Sequence, residues 1–122
     1  MIYILLSLLI CHFLADYCLT THGMIAAKAK GWPLLPIVGH AAVHAILMGA
    51  ALAVMGISWK MCLWLAALQL VTHFVIDTTK GVLTGHFPLL ADNTQKPFWI
   101  LYGFDQLLHL LVILLIASLS IV

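Results

Sequence analysis

The chain has 122 residues, of which 65% are hydrophobic and 7% are charged, and its formal net charge at pH 7 is +1. Soluble domains carry about 25% charged residues, so this composition argues against a soluble enzyme and favours a protein that lies in a lipid bilayer. The charged residues are five lysines and four aspartates, which give no electrostatic footprint for nucleic acid. Seven histidines remain in this apolar chain and need an explanation.

Four apolar stretches are long enough to form transmembrane helices, which need roughly 20 residues each. In chain order they cover residues 1–17, 34–55, 59–80 and 98–122. The first stretch lacks the basic start and the small-residue cleavage site of a signal peptide, so we expect it to be retained. The sequence therefore predicts an all-α, polytopic membrane protein with a single domain of four transmembrane helices.

The connections between these helices differ in length and in charge. Residues 56–58 form a tight turn, whereas residues 21–33 and 81–97 form longer loops without an obvious fold. The longer loops and their edges hold four of the five lysines, and only Lys60 lies on the opposite side. The positive-inside rule therefore places the longer loops in the cytoplasm and both termini outside it.

Each predicted helix carries one pair of ionisable residues four positions apart. Residues at positions i and i+4 lie on one face of a helix, so each pair projects in a single direction. The hairpin connections bring all four pairs to one leaflet, on the side of the longer loops. In chain order the pairs are His12 and Asp16, His40 and His44, His73 and Asp77, and Asp105 and His109.

The two halves of the sequence resemble each other. The H-F-L-A-D motif at residues 12–16 matches H-F-V-I-D at residues 73–77, and the second and fourth helices each hold a pair with the same spacing. This pattern predicts a tandem duplication of a helical hairpin, with both copies in the same orientation. Parallel repeats of this kind occur among transporters, so the repeat does not select a function.

Eight polar groups at one level of a bilayer are costly unless they contact one another, because an Asp at mid-helix costs about 2.5–3.5 kcal/mol. Imidazole and carboxylate groups together suit zinc and other divalent metals. Eight donors exceed one tetrahedral site, so we expect one or two divalent ions, zinc first and iron or manganese as alternatives. Two other interpretations stay open. One is a metal-free His/Asp network that holds the helices together, and the other is a path for protons or cations.

Three residues outside the pairs also carry polar groups near the predicted site. Lys80 lies one turn beyond Asp77 at the membrane boundary, where it pairs with Asp77, binds a phosphate or extends towards the interface. His22 and His86 lie in the predicted loops, and we expect both at the surface.

These motifs resemble a family of bacterial membrane proteins catalogued as domain of unknown function 3307, over nearly the whole chain. The resemblance rests on H-F-L-A-D at 12–16, H-x-x-x-H at 40–44, H-F-V-I-D-x-x-K at 73–80 and D-Q-x-x-H at 105–109. It implies a bacterial inner-membrane protein but no particular activity. Intramembrane H-x-x-x-D pairs are also similar to those of predicted membrane-bound metal-dependent hydrolases, which resemble zinc-dependent phospholipase C and P1-type nucleases. The second resemblance implies that all eight paired residues are metal ligands.

We therefore expect metal-dependent hydrolysis of a phosphoester, because a site one or two turns below the interface meets lipid headgroups. The substrate would be a lipid or a lipid-linked phosphate. The metal would polarise the phosphoryl oxygen, Asp16 or Asp105 would act as general base, and Lys80 would steady the phosphate. The alternatives are a proton or cation transport subunit and a non-catalytic membrane adaptor. A homodimer that completes the site is compatible with so short a chain.

Overall fold

The structure is a computed structural model that describes all 122 residues and contains only helices and short connections. The first helix changes to a π-helical turn before its end, and we call this turn the π segment. The elements are α1 Ile2–Phe13, the π segment Leu14–Cys18, α2 His22–Lys30, α3 Leu34–Val54, α4 Trp59–His86, α5 Pro88–Ala91 and α6 Lys96–Leu119.

Three helices, α3, α4 and α6, are long and apolar enough to cross a bilayer. A fourth span results if Ile2–Cys18 and α2 are counted together, although the chain bends by 96° between them. Ile2–Cys18 alone extends about 25 Å at 1.5 Å per residue, close to the hydrocarbon thickness of about 30 Å. The fold is therefore all-helical and consistent with a membrane protein of three or four spans.

Both longer loops predicted from the sequence contain helix, and this part of the prediction was wrong. In the first, Thr21 caps α2 by accepting a hydrogen bond from the Met24 amide at 3.3 Å, and Gly31 ends the helix with φ of 70°. In the second, α4 continues to His86 instead of ending at Lys80, and α5 follows it. The predicted helix ends were placed where hydropathy falls. The last turns of α4 are polar but remain helical because they pack against α2.

Helix α2 is fixed across one end of the bundle by close contact with α4. A Cβ atom at Gly81 would collide with the backbone nitrogen of Gly31 and the carbonyl oxygen of Lys28, so only glycine fits there. The Thr84 hydroxyl donates a hydrogen bond to the Ala29 carbonyl at 2.8 Å. These contacts hold Lys28 against the centre of the bundle.

The interior is divided into an apolar half and a polar half along the bundle axis. The apolar half lies towards the chain termini and the α3–α4 turn, and it is filled by buried residues from all four long helices. The polar half lies towards α2, and the site is built there. The apolar half contains the largest group of buried apolar residues that contact one another, Ile4, Leu8, Met48, Leu52, Cys62, Leu65, Ile113, Ile116 and Ala117.

Candidate metal centre

All eight paired residues lie in one cluster of five imidazoles and three carboxylates at the polar end of the bundle. Seven of them are buried, and the Asp16 side chain, at 9% exposure, is the most accessible. The four helices each contribute two residues, as the i, i+4 spacing requires. We call this set the His/Asp cluster. Its members are His12, Asp16, His40, His44, His73, Asp77, Asp105 and His109.

Asp16 is the centre of the first half of the cluster. Its Oδ1 lies 3.0 Å from Nε2 of His40 and 3.1 Å from Nε2 of His44, and its Oδ2 lies 3.3 Å from Nε2 of His12. Asp16 belongs to the π segment, an unusual local geometry that is frequent at functional sites. One carboxylate therefore gathers imidazoles from α1 and α3.

Asp77 is the centre of the second half. Its Oδ2 lies 3.3 Å from Nε2 of His73, and its Oδ1 lies 3.3 Å from Nε2 of His109. His109 also approaches Asp105, with 3.7 Å between Nε2 and Oδ1. The two halves meet where the His44 and His73 rings stack at 3.7 Å between centroids.

Lys28 joins the two halves, and reasoning from the sequence missed it. Its Nζ lies 3.0 Å from Nε2 of His40, 3.2 Å from Oδ2 of Asp77 and 3.7 Å from Oδ1 of Asp16. The interpretation of residues 21–33 as a loop hid this role. Thr21 as a cap and Gly31 as a helix end were the signals that predict a helix there.

Lys80 is held by Asp105 and not by Asp77, so the first of the three alternatives considered for Lys80, pairing with Asp77, is wrong. Its Nζ donates a hydrogen bond to Oδ2 of Asp105 at 3.1 Å, and the same oxygen accepts one from the Gln106 amide at 3.1 Å. The ammonium group also lies 4.9 Å from the centre of the Tyr102 ring. Lys80 thus lies beside the cluster, next to α6.

Gln69 supports the cluster from the apolar side. It is buried, and its side-chain amide lies 3.2 Å from Nδ1 of His73, one turn along α4. Because an amide nitrogen only donates, Nδ1 accepts this hydrogen bond and Nε2 carries the ring proton towards Asp77. A metal ion on Nε2 would require the proton to move to Nδ1, and the unpartnered side-chain oxygen of Gln69 could then accept it if the amide turned over.

Two groups of residues place donor atoms close enough to bind a metal ion. Within each group the candidate ligand atoms all lie within 4.8 Å of one another. Ligands about 2.0–2.1 Å from a tetrahedral ion are roughly 3.3 Å apart, so the first group needs only a modest contraction. That group consists of Asp16, His40, His44 and His73, and the second consists of His73, Asp77 and His109.

The donor atoms fit a cation better than they fit a complete hydrogen-bond network. Nε2 of His40 faces both a carboxylate, to which it must donate, and the Lys28 ammonium, from which it must accept. Several buried atoms have no hydrogen-bond partner, which costs about 1–3 kcal/mol each. A divalent ion in one of the donor groups would satisfy the unpartnered atoms that belong to it. Those atoms include Nε2 of His73 and Oδ2 of Asp77, whereas the unpartnered atoms of His12 and Asp105 lie outside both groups.

A cavity of about 530 Å³ opens onto the cluster from the side of α2 and α6. Its charged lining comes from the three carboxylates of the cluster and from both lysines that contact it, Lys28 and Lys80. The Tyr17 and Tyr102 hydroxyl groups lie 3.3 Å apart, and both residues line the cavity. Its apolar lining includes Ile25 and Phe98. The cavity thus joins a charged floor to an apolar wall.

The remaining histidines and the fourth carboxylate lie outside the cluster. His22 and His86 are exposed at the start of α2 and the end of α4. Asp92 lies in the connection between α5 and α6, where hydrogen bonds from the Thr94 hydroxyl and amide hold the pKa of its carboxyl below the usual value. None of these three residues takes part in the site.

Comparison with known proteins gives a family and no activity. No curated protein and no solved structure matches the chain. The resemblance to metal-dependent hydrolases therefore stays a prediction. One family model, described as "Protein of unknown function (DUF3307)", matches residues 4–122, so the chain belongs to the DUF3307 family.

Proposed function

We propose that this protein is a membrane-embedded, metal-dependent hydrolase that cleaves a phosphoester in a lipid or lipid-linked substrate. One observation carries the proposal. Three imidazoles and a carboxylate, from Asp16, His40, His44 and His73, lie within ligand distance of one another beside a cavity of about 530 Å³. Three protein nitrogens and one oxygen suit zinc, and iron or manganese are alternatives.

The charges around the cavity suit an anionic substrate. Lys28 and Lys80 line it, and an ammonium group is a common partner of phosphate. A divalent ion held by three of the four donors of the first group would keep an open position, at which it could polarise a phosphoryl oxygen and activate water. Lys80 is then placed to steady the phosphate from the α6 side.

Asp105 is the better candidate for the general base. It lines the cavity and belongs to neither donor group, so its carboxylate is not required as a ligand and lies beside the space where water and substrate would enter. Asp16 is instead engaged by two imidazoles through Oδ1 and belongs to the donor group. We therefore assign Asp16 to metal binding and Asp105 to proton transfer.

The apolar wall of the cavity favours a lipid over a water-soluble phosphate. Ile25 and Phe98 line it and are themselves partly exposed on the outside of the bundle. An amphiphile can place its phosphate at the lysines and its hydrocarbon along this wall. This combination supports a lipid or lipid-linked substrate.

Reconstituted protein tests the proposal directly. Purified protein in lipid nanodiscs, supplied in turn with zinc, iron or manganese, is given a panel of phospholipids and prenyl phosphates, and the release of phosphate or headgroup is measured. We expect turnover that Asp16→Asn abolishes and that Lys60→Met, on the opposite side of the bundle, leaves unchanged. Bound metal without turnover across the whole panel would contradict the proposal.

A metal-free structural network is the second candidate, because the Lys28 ammonium already provides a cation among the candidate ligands. In that case chelators leave the melting temperature unchanged, and His73→Ala unfolds the protein instead of giving a folded, inactive one. A proton or cation path has less support. The half of the bundle beyond the cluster is filled by buried apolar side chains that offer no polar route.

We also propose that the two halves of the chain are copies of one hairpin. Equivalent pairs make similar contacts, which supports a duplication. The Nε2 atoms of His12 and His73 each lie 3.3 Å from the aspartate four residues later. His44 lies 3.1 Å from Asp16, and its counterpart His109 lies 3.3 Å from Asp77.

We infer that the α2 end of the bundle faces the cytoplasm of a bacterial inner membrane, with both termini on the other side. Four of the five lysines lie at the α2 end, in α2, in the last turns of α4 and at the start of α6, and only Lys60 lies near the α3–α4 turn. Reporter fusions at the C-terminus test this orientation. A fusion partner that is active only in the cytoplasm should remain inactive there.

A further inference from the structure

We propose that Lys28 is an internal cation that occupies the metal position until a divalent ion displaces it. The inference rests on the proposed metal site and adds a means of setting its affinity. Lys28 would thus act as a competitor for the site and not as a ligand. It would make metal binding an exchange of one cation for another.

The position of the ammonium group is the first support. Nζ of Lys28 lies 3.0 Å from Nε2 of His40 and 3.7 Å from Oδ1 of Asp16, and both of these residues belong to the first donor group. An ion about 2.0–2.1 Å from the same two atoms would overlap the ammonium or lie directly beside it, depending on the side from which it binds. Because like charges so close together repel, each cation opposes the binding of the other.

The balance of buried charge is the second support. The three carboxylates of the cluster are accompanied by two lysines, Lys28 and Lys80. A divalent ion together with Lys80 would match the three carboxylates without Lys28. If Lys28 stayed in place, the ion would leave one positive charge in excess, and an uncompensated buried charge is costly. With neutral histidines, the cluster carries one negative charge in excess without an ion, and departure of Lys28 on metal binding makes it neutral.

The surroundings of Lys28 allow its side chain to move while its backbone stays fixed. The contact between Gly81 and Gly31 pins α2 to α4, so the helix itself does not need to shift. The Lys28 side chain is 24% exposed and lines the cavity, which gives the ammonium a way into water. Four methylene groups provide the flexibility for this movement. The exchange therefore requires only a change of side-chain rotamer.

The chain supplies matched controls for Lys28. Lys30 lies two residues later on the same helix, is exposed and is not among the residues that line the cavity. Lys80 has the same side-chain exposure as Lys28, 24%, but binds Asp105, which lies outside both donor groups. A general effect of removing positive charge would appear in the Lys30 variant as well.

Cobalt titration of the full chain in detergent tests the competition. Co²⁺ bound by nitrogen and oxygen ligands in a tetrahedral site absorbs visible light, so binding is measured without any activity. A hydrogen bond to a charged group changes an equilibrium constant by a factor of roughly 10 to 100. Because the ion no longer has to break the contacts of Lys28, we expect Lys28→Met to bind Co²⁺ roughly 10- to 100-fold more tightly than wild type. Lys30→Met should bind as wild type does.

Amine labelling of the wild-type protein tests the same exchange without any substitution in the cluster. Acetylation of each lysine is quantified by mass spectrometry with and without saturating Zn²⁺. The Lys28 amine should react slowly in the metal-free protein and at least several-fold faster with Zn²⁺, while the Lys30 rate stays constant. This measurement stands even if Lys28→Met does not fold.

The outcomes separate this inference from the proposed function. Equal or weaker Co²⁺ binding by Lys28→Met, or a Lys28 labelling rate that Zn²⁺ leaves unchanged, overturns the exchange while the metal site stands. Failure of both wild type and folded Lys28→Met to bind Co²⁺ or Zn²⁺ overturns the metal site and the exchange with it. Metal binding by Lys28→Met alone supports both.

Discussion

Replacement of Asp77 by asparagine should strongly destabilise the metal-free protein. Asp77 is 1% exposed, and its carboxylate contacts Lys28 at 3.2 Å and both His73 and His109 at 3.3 Å. Asparagine keeps the shape of the side chain and removes its charge. The nearest carboxylate left to Lys28 would then be Asp16, at 3.7 Å.

The expected size of the effect follows from the loss of one partner of a buried ion pair. Removing such a partner costs about 3–5 kcal/mol, because the other charge stays buried without compensation. For a chain of this length 1 kcal/mol lowers the melting temperature by about 3–5 °C, so Asp77→Asn should melt about 9–25 °C below wild type. The estimate applies to protein kept in chelator, where no ion replaces the lost charge balance.

Tryptophan fluorescence during heating in detergent measures this difference. Asp92→Asn is the matched control, because Asp92 is fully exposed in the connection after α5, and its melting temperature should stay within about 2 °C of wild type. If Asp77→Asn melted as high as Asp92→Asn, the carboxylate would not be the centre of a coupled network. The contacts of Asp77 with Lys28 and the two imidazoles would then contribute no net stability.

Three further predictions concern packing, pairing and metal binding. Gly81→Ala should lower the free energy of unfolding by about 1–3 kcal/mol, because the new Cβ would collide with Gly31. Gly103→Ala, with open space around it, should raise the melting temperature. Equal melting temperatures of the two variants would refute the close contact of α2 with α4. In a double-mutant cycle, the effects of Lys80→Met and Asp105→Asn on the free energy of unfolding should differ from additivity by about 1 kcal/mol or more. Additive effects would show that the 3.1 Å contact between the two side chains is not a coupled pair. Zn²⁺ at 100 times its dissociation constant should stabilise the wild type by about 2.7 kcal/mol in thermal unfolding, and no shift would contradict specific binding to the folded state.

The positions of the His/Asp cluster were predictable from the sequence because two simple constraints coincide there. Spacing of i, i+4 places each pair on one helix face, and the cost of polar groups in a bilayer favours their convergence. The pairs at His12 and Asp16 and at His73 and Asp77 needed no knowledge of loops. Their depth along the helices followed from the hairpin connections.

Lys28 and the partner of Lys80 were not predictable in the same way, because both depend on how separate helices are placed. Lys28 reaches the cluster only because the chain bends by 96° and α2 packs against α4, and neither feature follows from hydropathy. Asp77 is one turn from Lys80 on the same helix, yet the position of α6 brings Asp105 closer. Local spacing offered Asp77 as one possible partner of Lys80 and could not indicate Asp105, which lies on another helix.

The bound metal content of the purified protein tests the central claim most directly. Wild type and a His73→Ala, Asp77→Ala double variant are purified without chelators, supplied with zinc or iron and measured by plasma mass spectrometry, with circular dichroism as the check on folding. His73 belongs to both donor groups, so its loss affects every candidate site. We predict one or two ions per chain in wild type and none in a double variant that keeps its helices. Wild-type protein that holds no ion even after zinc or iron is added would contradict the account.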